Sequence, residues 1–117
     1  MRIATIACLI TFALPAGCGG SFPPPNDEWA AAQADVGRAE SGGAPAVPDA
    51  KLHLQLATED LQKSKTLIND DNKRAADLIA VAKVEAQLAL SLAKQQQAQD
   101  AAKKAQDDLA KAKAGGQ

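Results

Sequence analysis

The chain has 117 residues, with 13 basic and 14 acidic side chains and a formal net charge of −1. Charges of both signs are interleaved along it, which leaves no basic field for nucleic acid. Alanine supplies 27 residues and aromatic residues only 3%, with no tyrosine; helix propensity is therefore high and large core-filling side chains are few, which argues for thin helical packing and against a compact enzyme with a deep pocket.

The first element is a leader. Arg2 supplies a charge, residues 3–14 are apolar or nearly so, and Pro15-Ala16-Gly17-Cys18 supplies small residues for processing. Twelve residues span about 18 Å as a helix against roughly 30 Å of hydrocarbon, so the pattern predicts a signal peptide over 1–17 and not a permanent anchor. Cleavage after Ala16 would leave a free cysteine. The alternative is that Ala16-Gly17-Cys18 resembles the lipobox of bacterial lipoproteins, in which the cysteine is acylated and becomes the mature N-terminus. Pro15 departs from that pattern, since leucine is usual there, although Leu14 stands one place earlier. Acylation of Cys18 is favoured because it consumes a thiol that would otherwise be exposed and unpaired in an exported chain. Several acyl chains would hold the protein stably on a bilayer. Gly19 after the cysteine, in place of aspartate, resembles the signal for the outer membrane, facing the periplasm. From Cys18 onward the chain keeps twelve basic and fourteen acidic side chains.

Residues 18–26 read as the lipidated cysteine and a tether. Gly19-Gly20-Ser21-Phe22-Pro23-Pro24-Pro25 cannot form helix, because prolines lack the donor and restrict their predecessors. A short helix is predicted over 27–40, capped by Asn26 or Asp27, with Trp29 (or Ala30), Ala32, Val36 and Ala39 as its apolar stripe. Gly42-Gly43 and Pro45 end it. A second helix over 50–68 takes Asp49 as cap and carries Leu54, Ala57, Leu61, Ser64 and Ile68, with Leu52 and Leu56 widening the face. Asn69-Asp70-Asp71-Asn72 stops it. A third helix restarts near Asp71 or Asn72 with Ala75, Leu78, Ala82, Ala89 and Leu92 as main seam, Ile79, Ala86 and Ala93 beside them, and Glu85 on the seam. The short loop makes the second and third helices an antiparallel hairpin. The expected fold is thus all-α: an antiparallel helical hairpin with a short N-terminal helix and a long extended C-terminal helix.

Within this scheme residues 27–93 form the helical domain and 94–117 a polar helical tail. The tail is Lys, Gln, Ala and Asp, with Leu109 its only large apolar residue. Asp100 with Lys103 or Lys104, and Asp107 or Asp108 with Lys111, are spaced for ion pairs. Ala98, Ala101 (or Ala102), Ala105, Leu109 and Ala112 form a faint stripe, of which Ala98, Ala105 and Leu109 are the candidate partner-binding residues.

The residues between Ala39 and Ala93 resemble the bacterial envelope family catalogued as domain of unknown function 4398. The likeness lies in Ala39-Glu40, Gly43-Ala44, Pro48 before a leucine-bearing helix, Ala57, Leu61, Leu78, Ala82 and Glu85-Ala86-Gln87-Leu88-Ala89. Val47, Ser64 and Glu85 depart from it, alanine, alanine and aspartate being usual. The resemblance implies an alanine-rich helical lipoprotein domain, sometimes placed ahead of domains that hold peptidoglycan, and brings no reaction with it.

Chemistry-bearing patterns are sparse. His53 is the only histidine, and Asp70-Asp71 with Asp77 lacks the glycine and graded oxygens of a calcium loop. No catalytic residue, metal site or cofactor is therefore expected. The sequence points to a non-enzymatic envelope lipoprotein acting as structural or adaptor protein through its helix faces, its partners the bilayer at Cys18 and another envelope protein or a second copy. The alternative is a self-associating coiled-coil spacer between outer membrane and cell wall, although Gly115-Gly116-Gln117 lacks the terminal lysine through which the major murein lipoprotein is attached.

Overall fold

The computed structural model describes residues 21–116; the expected leader, Cys18 and the first residues of the expected tether lie outside them. Three helices, α1 (Asn26–Ser41), α2 (Pro48–Leu67) and α3 (Asn72–Gly115), are joined by a one-turn 3-10 helix at Ala44–Ala46 and by the Asn69 turn. The fold is all-α, as the sequence predicts, with α2 and α3 antiparallel.

The seam that joins them has coiled-coil spacing. On α2 the buried residues are Ala50, Leu54, Ala57, Leu61 and Ser64; on α3 they are Ala75, Ile79, Ala82, Ala86, Ala89 and Ala93. Both sets advance by alternating steps of three and four, the period that keeps one face of a helix on its neighbour. Most of these side chains are methyl groups, so the helices hold together by close approach more than by buried area.

α1 lies across this hairpin, parallel to α3, and buries Ala32, Val36 and Ala39. At the turn end, the Asn72 amide donates to the Phe22 carbonyl at 2.8 Å, and the Trp29 indole donates to the Leu61 carbonyl at 3.2 Å. At the other end the Gln97 amide donates to the Gly42 carbonyl at 3.0 Å. A Cβ at Gly42 would come within 2.9 Å of the Arg38 carbonyl oxygen and meet the end of the Leu90 side chain, and Gly43 reverses the chain at φ 94°.

The structure revises several local expectations. Neither Asn26 nor Asp27 caps α1; Pro25 holds that place, and its carbonyl accepts from the Trp29 N–H at 3.0 Å. Asp49 does not cap α2, because Pro48 occupies the first helical position, where its missing N–H costs nothing, and Asp49 falls in the first turn. Leu78 and Leu92 are only half-buried, whereas Ile79, Ala86 and Ala93 are buried. The reason is α1: a third helix on one flank of α3 turns the buried face toward Ile79 and Leu90. Leu52 and Leu56, on the opposite flank, stay 54% and 39% exposed. Ile68 is half-buried and leaves the helix at its C-cap. The end of the tether is docked on the turn, with Pro25 buried and Phe22 tied to Asn72.

The turn itself follows the expected chemistry. Asn69 takes the left-handed conformation at φ 79°, which asparagine tolerates. Asp71 caps α3, its carboxylate accepting from the Arg74 N–H at 3.0 Å. Asp71→Ala is expected to cost about 1 kcal/mol, and a urea midpoint equal to that of the parent protein would contradict the cap.

Candidate interaction faces

α3 outruns its support. Its 44 residues extend about 66 Å, against about 30 Å for the 20 residues of α2. The last buried residue on α3 is Ala93, the last contact from the bundle is at Gln97, and every residue from Lys94 to Gly116 is exposed. Ala98, Ala105 and Leu109 therefore sit together on this uncovered arm, with Leu109 at 56% exposure. The ion pairs expected there do not form; Asp100 accepts from the Gln96 amide at 3.0 Å instead. In open solvent such pairs contribute a few tenths of a kcal/mol at most, too little to fix two long side chains.

A second face escaped the sequence reading. Leu52 and Leu56 on α2, with Val81 (47% exposed), Val84 (64%) and Leu88 (39%) on α3, are the large apolar side chains left exposed on the bundle, Phe22 apart. They lie on the side of the hairpin away from α1. His53 and Glu85 bridge the two helices between them, His53 Nδ1 to Glu85 Oε2 at 2.5 Å, both side chains about a quarter exposed. The pair gives Glu85, a charge on the expected seam, a partner at the edge of the core. The available signal in the sequence was the step of three and four from Val81 to Val84 to Leu88, out of phase with the main seam.

On the α1 side an open groove runs between α1 and α2, with Trp29, Val36 and Leu61 along it and Gln33, Gln62 and Glu40 at its rim. Lys65 Nζ stands 5.1 Å from the centre of the Trp29 ring and covers its face. The buried Asp35 is bonded to Arg38 one turn along. Among the described residues no cluster of three His, Cys, Asp or Glu side chains is placed to hold a metal ion, and no helix is long and apolar enough to cross a membrane. Among the described residues, His53 is bonded to Glu85 alone.

A family model described as domain of unknown function, DUF4398, matches residues 27–105, more than half of the chain. The protein belongs to the DUF4398 family. The match begins in the first turn of α1 and extends twelve residues past Ala93, so the DUF4398 region includes the bundle and the first part of the arm. No curated protein and no solved structure matches the chain.

Proposed function

We propose that this DUF4398 protein is a non-enzymatic lipoprotein of the bacterial envelope, held on the outer membrane by an acylated Cys18, that works as an adaptor through its helix faces. The observation that carries the reading is the arm: a helix continues for more than twenty residues past its last buried contact, with nothing among the described residues to cover it. A solvated helix without a core face is marginal in isolation, so an arm of this length gains by contact with another surface. In support of a division between the two ends, Phe22, the residue nearest Cys18 with a bond to the bundle, is held at the Asn69 turn, at the other end of α3 from the arm.

Two measurements test this. Intact mass of the wild-type protein is expected to show acyl chains on a chain beginning at Cys18, and Cys18→Ser to abolish both the added mass and the trimmed N-terminus. A wild-type protein without acyl mass ends the lipoprotein reading. In cells, a photoreactive residue at Ala105 is expected to give a discrete adduct and one at Asp107, on another face of α3, none; no adduct from either position would reduce the arm to a solvated tail.

A further inference from the structure

We propose that the exposed face of Leu52, Leu56, Val81, Val84 and Leu88 receives the arm of a second copy of this chain, so that two molecules pair through antiparallel α3 helices. The inference names the partner of the arm and therefore rests on reading α3 as an interaction surface.

α3 carries two seams. The first, ending at Ala93, serves the hairpin; beyond it the same phase meets Gln96, Asp100, Lys103 and Asp107, which are polar and exposed. The second begins on the exposed face at Val81, Val84 and Leu88. Continued at alternating steps of three and four through Ser91 and Gln95, it reaches Ala98, Ala102, Ala105, Leu109 and Ala112. The apolar face of the bundle and the apolar stripe of the arm thus share one line of coiled-coil period, broken by Ser91 and Gln95, on an unpartnered side of one helix. The arm has the length and phase to lie on the bundle face of a neighbour, and a two-fold axis closes the pair, each arm covering the other's bundle.

Two observations choose the antiparallel arrangement. Between residues 21 and 93 there are seven basic and eleven acidic side chains, and between 94 and 116 five basic and three acidic, a balance of −4 on the bundle and +2 on the arm. Antiparallel pairing sets basic arm on acidic bundle, whereas parallel pairing sets like on like. Size also matches: with the axis between residues 96 and 97, Val84 meets Leu109, Leu88 meets Ala105, Val81 meets Ala112 and Gln95 meets Ala98. Large side chains fall opposite small ones, and the arm's methyl groups let its backbone approach closely between Leu56 and Val81. A strip about 47 Å long and about 10 Å wide on each copy gives roughly 1,000 Å² in all, the lower bound of a specific interface.

Sedimentation of the purified protein in density-matched non-ionic detergent is expected to show a reversible monomer–dimer equilibrium. Val84→Glu is expected to weaken it about tenfold or more, while helix content and thermal midpoint stay unchanged, because Val84 is 64% exposed in the monomer. In an equal mixture of light and heavy nitrogen-labelled protein, a photoreactive residue in place of Leu109 is expected to crosslink between copies to the peptide around Val84. A monomer at every concentration, a dimer indifferent to Val84→Glu, or a crosslink to the neighbourhood of residue 109 in the other copy would overturn the proposal. None of these outcomes depends on acylation, so failure of the lipid anchor and failure of the dimer are read separately.

Discussion

Ile79→Ala is expected to bring the bundle close to unfolding at room temperature. Ile79 is 1% exposed and is the largest fully buried side chain among the described residues; most of the remaining core is alanine. Truncating such a residue removes its transfer free energy and leaves a cavity, together about 2–5 kcal/mol. A helical body of some seventy residues holds roughly 3–10 kcal/mol in total, so one side chain accounts for a large share of the whole. Leu61→Ala, at 6% exposure, is expected to fall in the same range, with the Trp29 bond to its backbone carbonyl preserved. Val84→Ala, on the exposed face, is expected to change stability little. Urea unfolding followed by the fluorescence of Trp29, the only tryptophan, reports the bundle without the arm. An Ile79→Ala midpoint equal to that of Val84→Ala would refute the assignment of the core.

Ala82→Leu is expected to destabilise, although it adds apolar surface. Ala82 is fully buried in the α2–α3 seam, among Ala75, Ala86, Ala89 and Ala93, all likewise without accessible surface. Helices that meet through methyl groups leave no volume for three further carbons, so leucine must push the backbones apart or leave its preferred rotamer, at about 1–3 kcal/mol or more. The same substitution at exposed Ala98 adds a leucine to the arm and is expected to leave the unfolding midpoint of the bundle where it was. The sign is informative: were α2 and α3 loosely apposed, Ala82→Leu would fill space and raise the midpoint.

The helices themselves were legible because their cues are local. Gly42-Gly43 with Pro45, and Asn69 to Asn72, mark the two breaks, since glycine, proline and asparagine act on the backbone at their own positions. The period of Leu54, Ala57, Leu61 and Ser64 named the buried face of α2, and the sharp change of composition after Ala93 marked where burial stops on α3. Family membership was legible in the same alanine-rich pattern, and the match over 27–105 bears it out.

The tertiary structure decided the rest, wherever two elements distant in sequence compete for one face. Leu78 and Ile79 are adjacent and equally apolar, and only the flank chosen by α1 makes Ile79 the buried one. The same choice leaves Leu52 and Leu56, expected to widen the core, in solvent with Val81, Val84 and Leu88, which the sequence had assigned to no face. It also brings His53 to Glu85 across 32 positions of chain. Hydrophobic periodicity states that a helix has an apolar side, because that depends on spacing along one chain segment; it does not state how many neighbours divide that side, because burial is set by elements that arrive from elsewhere in the sequence.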